Sequence, residues 1–140
     1  MATYSATNYN KKPVNSHGLA GELKAAFFEV SCTAAPSTSD TINFGYLPAG
    51  ARVIAATLEA TDMDTAGSPT ITLNVGDAGS ATRLFSASTV AQAGTASTAL
   101  ATTGAGYKYD TETLITGVAA ANATTGAAGT VYLSVLYVVE

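Results

Sequence analysis

The sequence predicts an all-β chain: a two-sheet antiparallel sandwich of jelly-roll or Greek-key type, preceded by an extended N-terminal arm. Three observations carry the prediction. Apolar and polar side chains alternate along several short runs, as they must where a strand buries one face. Asp, Gly, Ser and Pro punctuate those runs at close spacing, which suits a sandwich of seven or eight strands. The final run, TVYLSVLYVVE, is apolar on both faces and so requires cover on both. No repeat of fixed period appears in the chain.

Residues 1–18 are polar, with Tyr4 and Tyr9 as their large apolar groups, and are read as an arm; residues 19–140 form the sandwich domain. Tyrosine is favoured at interfaces, so Tyr4 and Tyr9 are candidate anchors on a neighbouring subunit. Between Leu19 and Thr33 the pattern is ambiguous. Leu19, Leu23, Phe27 and Val30 fit a helical face, whereas Phe28, Val30 and Cys32 fit a strand. A long strand from about Gly21 is expected, with a bulge or a bend near Phe27 and Phe28 where the inward face changes. Ile42, Phe44 and Tyr46 alternate on the next strand, which LPAG at Leu47 to Gly50 closes.

The stretch from Arg52 to Ala93 organises the remainder. Ile54, Ala56, Leu58 and Ala60 make one stripe, and Ile71, Leu73 and Val75 make another. The intervening TDMDTAGSP reads as the turn of a hairpin. VGDAG is a further tight turn and RLFSA a short strand carrying Leu84 and Phe85. STVAQAG is a single helical turn, capped by Ser88 and stopped by Gly94. Thr95 to Gly106 reads as a long surface loop. YKYDTETLITGVAA gives two short strands or one bent one around Tyr107, Tyr109, Leu114, Thr116 and Val118. On the last strand Val131, Leu133, Val135, Tyr137 and Val139 form the core stripe. Tyr132, Leu136 and Val138 occupy the opposite face, which the arm or another subunit would cover.

Composition narrows the function. A chain of 140 residues and 14.0 kDa is one domain in size and should expose roughly 6,700 Å² when folded. Only 11% of its residues are charged and the net charge is -4, which argues against a phosphate-binding, nucleic-acid surface. The one basic cluster is Lys11 and Lys12. So sparse a charge complement is easier to reconcile with a surface that meets protein than with a free monomer. MATYSATNYNKK has no basic segment leading into an apolar run, so export is not expected. No run reaches the roughly 20 apolar residues of a membrane helix.

Catalysis finds little support. His17 is the single histidine and lies in the polar arm, with no nucleophile motif such as G-x-S-x-G elsewhere. Cys32 sits in an alternating apolar strand and reads as a core residue, with no second cysteine for a disulfide. Asp62, Asp64 and Asp77 flank turns. DMDTAG begins like a calcium loop but lacks the later Glu, so bonding to their own backbone is expected of them. Asn122, Ala123 and Thr124 match a glycosylation sequon, which is idle without secretion. No enzyme activity, cofactor or metal is therefore expected.

From Asp62 to Gly94 the sequence resembles small virion proteins of tailed bacteriophages. The resemblance lies in the Asp62-x-Asp64 turn, the segment SPTITLNVGDAG, the Arg-Leu-Phe step and STVAQAG. It implies the capsid decoration, or cement, proteins: compact β-domains that sit on the outside of the head, commonly as homotrimers, and bridge capsomers. The implied partners are the chain itself and the major capsid protein, the implied location is the capsid surface after assembly in the host cytoplasm, and neither nucleic acid nor membrane is involved. Tyr4, Tyr9, Tyr132, Leu136 and Val138 are the candidate contacts with a subunit or the capsid. The alternatives are a head fibre or tail module of a phage, and a carbohydrate-binding module using the Thr95 to Gly106 loop with Tyr107 or Tyr109.

Overall fold

The computed structural model describes residues 1–7, 9 and 22–140. Lys11, Lys12, His17 and Leu19, with most of the arm, lie outside the described residues. Among the described residues there are ten strands: β1 (Thr3–Ser5), β2 (Lys24–Cys32), β3 (Thr41–Leu47), β4 (Ala51–Ala60), β5 (Thr72–Gly76), β6 (Phe85–Ser88), β7 (Ala96–Ser97), β8 (Lys108–Tyr109), β9 (Thr113–Ala121) and β10 (Gly129–Val139). Sheet A runs β1-β3-β9-β5-β6 and sheet B runs β2-β10-β4-β7, with β8 also paired to β4. Every pairing is antiparallel except the short one between β1 and β3. The predicted two-sheet sandwich is thus what forms, and its exposed area of 6611 Å² matches the size expectation.

The core fills the space between the sheets. Ile42, Phe44 and Leu47 from β3, Leu73 and Val75 from β5, and Ile115 from β9 meet Val30, Leu58, Val131, Leu133 and Val135 from sheet B, all at most 1% exposed. Cys32 joins them, and burial, reinforced by the Asp40 charge, pushes its thiol up to about 11.

The expected central hairpin does not form. β4 belongs to sheet B and β5 to sheet A, so residues 61–71 cross from one sheet to the other. Met63, fully buried, fills the crossing, and its amide donates to the Ala91 carbonyl at 2.9 Å. Asp64, only 1% exposed, fixes it from the other side. Its carboxylate accepts the amide N–H groups of Thr70 at 2.8 Å, Ile71 at 3.2 Å, and Thr124 and Thr125 at 2.9 Å each. One side chain thereby joins the β4–β5 crossing to the β9–β10 turn. Asp62 behaves as the sequence suggests, its side chain accepting the Asp64 amide at 3.1 Å.

Bulges redirect two stripes. In β4, Leu136 of β10 faces Ala55 and Tyr137 faces Val53, so Ile54 is the extra residue; it points out while Val53 and Ala51 turn in beside Ala56, Leu58 and Ala60. In β3 the register steps from Asn43 to Gly45, which carries Leu47 rather than Tyr46 into the core. Gly45 is required there, since a Cβ would lie 2.7 Å from the Phe28 ring or nearer. In β9 the inward residues are Ile115, Gly117 and Ala119, not Leu114, Thr116 and Val118. Conversely β2, where a bulge is predicted, pairs with β10 in unbroken register over all nine residues; Phe28 faces in and Phe27 faces out.

The helical turn is a 3-10 turn, Val90–Gln92, whose preceding residue is Thr89; Ser88 ends β6 instead of capping the turn. Gly94 follows at φ +73 and Gly50 at φ +84, the left-handed conformations that the sequence assigns to them. The Thr95 to Gly106 stretch is not wholly loop, because Ala96–Ser97 pairs with β4 and Leu100 packs on the core.

Burial alone would raise the Asp64 carboxyl, but the N–H bonds from Thr125, Thr124, Thr70 and Ile71 outweigh it and hold the group well below the usual carboxylate range. A depressed folded value contributes stability that is complete above the unfolded value of about 4 and is lost as pH falls through the folded one. Asp64→Asn is therefore expected to melt at lower temperature than the parent at pH 7, with the gap narrowing steadily below about pH 4. Thermal melts that keep the same gap at pH 7 and at about pH 2.5 would contradict this role for the carboxylate.

Candidate interaction surface

The outer face of sheet B is built from three long strands in register. Rows across β2, β10 and β4 read Glu29, Tyr132, Glu59; then Phe27, Ser134, Thr57; then Ala25, Leu136, Ala55. Beyond the β4 bulge, Val138 faces Arg52. These residues point away from the core because their neighbours along each strand point into it. Around the central Ser134 the face exposes apolar groups: Phe27 is 56% exposed, Ile54 51%, Leu136 36%, and Leu23 just before β2 is 57%. Phe27 and Tyr132 lie with ring centroids 6.1 Å apart. At one end stand Glu29 and Glu59, both exposed. At the other, Arg52 Nη2 pairs with Glu140 at 2.8 Å.

Of the five predicted contact residues, Tyr132, Leu136 and Val138 share this face. Tyr4 and Tyr9 are half-buried against the chain's own core, and Tyr4 lies on β1 opposite Ile42 of β3. Phe27, Leu23 and Ile54 also belong to the face, although the sequence pattern places Ile54 in the inward stripe with Ala56 and does not mark the other two as contacts. The Phe27-Phe28 doublet carried a signal for the first, since one of two consecutive residues in a strand must face outward. Ile54 is outward only because of the bulge, which its alternation with Ala56 conceals.

A cleft of about 360 Å³ lies beside Asp77, Arg83, Tyr107 and Tyr109. Asp77, Arg83 and Tyr109 are already committed to one another. Arg83 Nε donates to Asp77 at 2.6 Å, the Tyr109 hydroxyl donates to the same carboxylate at 3.0 Å, and the guanidinium sits 3.8 Å from the Tyr107 ring centre. Burial raises the Asp77 carboxyl, but the bonds from Arg83, Ser80 and Tyr109 prevail and lower it. Tyr109 is raised by burial first and by the Asp77 charge second. Tyr109 is also only 4% exposed and offers no free ring to a sugar, and Arg83 covers one face of the half-buried Tyr107. No described helix is long and apolar enough to cross a membrane.

Comparison with solved structures supplies the family. A chain of the cyanophage Pam1 capsid asymmetric unit is 46% identical, aligned over 96% of this chain and 99% of that one with a TM-score of 0.78. A chain in the capsid of Ralstonia phage GP4 is 31% identical over 99% and 98%, with a TM-score of 0.85. The chain belongs to a family of bacteriophage capsid-associated proteins. A chain from the acid-stable capsid of Helicobacter pylori bacteriophage KHP30 shares the fold alone, at 17% identity over 84% and 94%, TM-score 0.53. No protein-family model matches the sequence, and no curated protein does so either.

For this capsid-associated protein the inner and outer residues of sheet B should respond differently to substitution. Phe27→Ser combined with Leu136→Ser should keep the β-type circular dichroism spectrum and shift stability by no more than about 1 kcal/mol, as surface changes do. Leu133→Ser, in the core, should cost on the order of 3 kcal/mol or more. Equal destabilisation by the two variants would mean that the outer face is already packed within one chain.

Proposed function

We propose that this chain binds the outside of a phage capsid and stabilises it by bridging neighbouring capsomers, as a homotrimer that also contacts the major capsid protein. The observation that carries the reading is the apolar outer face of β2, β10 and β4, centred on Phe27 and Leu136 and exposed in the single chain. Apolar groups clustered in this way on a chain with few charges favour contact with other protein. The two similar capsid chains, aligned over almost their whole length, favour a capsid setting over a tail module or a sugar-binding module.

The proposed mechanism needs no bond-making. A protein that binds only the assembled shell shifts the equilibrium toward that shell by mass action, and repetition over a symmetric lattice multiplies weak contacts into a strong one. Such a subunit must hold its own shape before it meets the shell, which the carboxylate-bound loops at Asp64 and Asp77 provide. Electron microscopy of purified particles tests the proposal. Density for this domain on the outer surface, across capsomer junctions and around three-fold positions, is expected. Density confined to the tail, or enclosed within the shell floor, would contradict it.

A further inference from the structure

We propose that the Met1–Ala2 peptide bond is hydrolysed by an aminopeptidase and that the ammonium group so freed on Ala2 closes an ion pair with the buried Asp40. Met1 is 97% exposed and makes no hydrogen bond or ion pair among the described residues, so the fold does not depend on it. The bonding begins at Ala2. Its amide nitrogen lies 2.8 Å from Asp40 Oδ1, and its carbonyl accepts the Thr41 amide at 3.2 Å. Thr3, Tyr4 and Ser5 then run beside Thr41, Ile42 and Asn43, and the Ala6 amide donates to the Asn43 carbonyl at 2.8 Å. Trimming after Met1 leaves all of these in place. The side chain that follows Met1 is a single methyl group, small enough for the enzymes that remove a leading methionine.

Asp40 is the buried carboxylate with the fewest compensating partners. Asp77 holds Arg83, and Asp64 is enclosed by four amides at 3.2 Å or less. Asp40, only 8% exposed, accepts the amides of Ala2 and of Ser37, the latter at 2.9 Å, and no Lys or Arg pairs with it among the described residues. The Ser37 amide first and the Ala2 amide second hold its carboxyl below the ordinary value, and the Met1 amine adds to this through space. It is therefore ionised at neutral pH. A buried anion held by neutral donors gains from a cation at bonding distance. Hydrolysis supplies one at a nitrogen already in position. Water adds across the amide bond, Met1 leaves as free methionine with the new carboxylate, and the Ala2 nitrogen takes the protons and becomes an ammonium. The charge then stands where the amide N–H stood, and a charge-assisted bond ties the start of β1 to the β2–β3 turn.

Intact-mass measurement on the protein purified from the cells that make it tests the cleavage, and a pH titration of the Ala2 α-carbon NMR signal tests the pair. A mass short by one methionine residue is expected, with Ala2 first. A free α-amine titrates at about 8; in the trimmed protein it should titrate at least about one pH unit higher, and Asp40→Asn should return it to about 8. The other titratable group that acts on Asp40 is the Cys32 thiol of β2, pushed up to about 11 and so uncharged through this range. A raised folded value for the amine contributes stability that is complete below about pH 8 and is lost as pH rises through the folded value. Protein made while the host aminopeptidase is inhibited, and so retaining Met1, should therefore melt at a lower temperature than trimmed protein at pH 7, with the gap closing by about pH 10. Retention of Met1 in the purified protein would overturn the cleavage and the proposal with it. An Ala2 amine that titrates at about 8 in the trimmed protein, or equal melting of the two forms at pH 7, would overturn the ion pair.

Discussion

β10 is the constraint around which the molecule is arranged. It lies between β2 and β4 at the centre of sheet B, and its inward residues Val131, Leu133 and Val135 are fully buried. Its outward residues Tyr132, Leu136 and Val138 are apolar too, yet a two-layer sandwich can cover only one face of each sheet. The same sequence that secures the core therefore leaves apolar surface on the outside of one chain. Phe27 and Ile54 on the flanking strands widen that surface rather than screening it with charge.

Buried carboxylates hold the loops around this frame. Asp64 bonds the crossing between sheets to the β9–β10 turn, and Asp77 bonds the β5–β6 turn to β8 through Arg83 and Tyr109. Asp40 accepts the amides of Ala2 and Ser37, which fixes the start of the chain beside the β2–β3 turn. Each is a charged group whose burial is offset by bonds to backbone N–H or guanidinium, so each favours one loop conformation strongly. With so many alanines among its apolar residues, the domain relies on such local ties as well as on core volume.

The strand periodicity was legible because burial on one face imposes it, and the stripes in β5 and β10 lie where alternation puts them. Three features were hidden. Bulges at Ile54 and Phe44 shift the inward set by one residue; Gly45 marks the second, but no glycine or proline announces the first. Sheet membership was hidden as well: β4 and β5 look like a hairpin because their connection is rich in turn residues, and only the burial of Met63 and Asp64 makes it a crossing. The outer face was legible in Tyr132, Leu136 and Val138, since both stripes of β10 are apolar. Its extension onto β2 depended on which of two adjacent phenylalanines faces out, and alternation by itself leaves that choice open.

The central claim is that the outer face of β2, β10 and β4 becomes buried when the protein takes its place on the particle. Hydroxyl-radical footprinting of the same protein, free and particle-bound, measures that directly. Oxidation of Phe27, Tyr132 and Leu136 is expected to fall severalfold on the particle. Unchanged oxidation at all three would contradict the account.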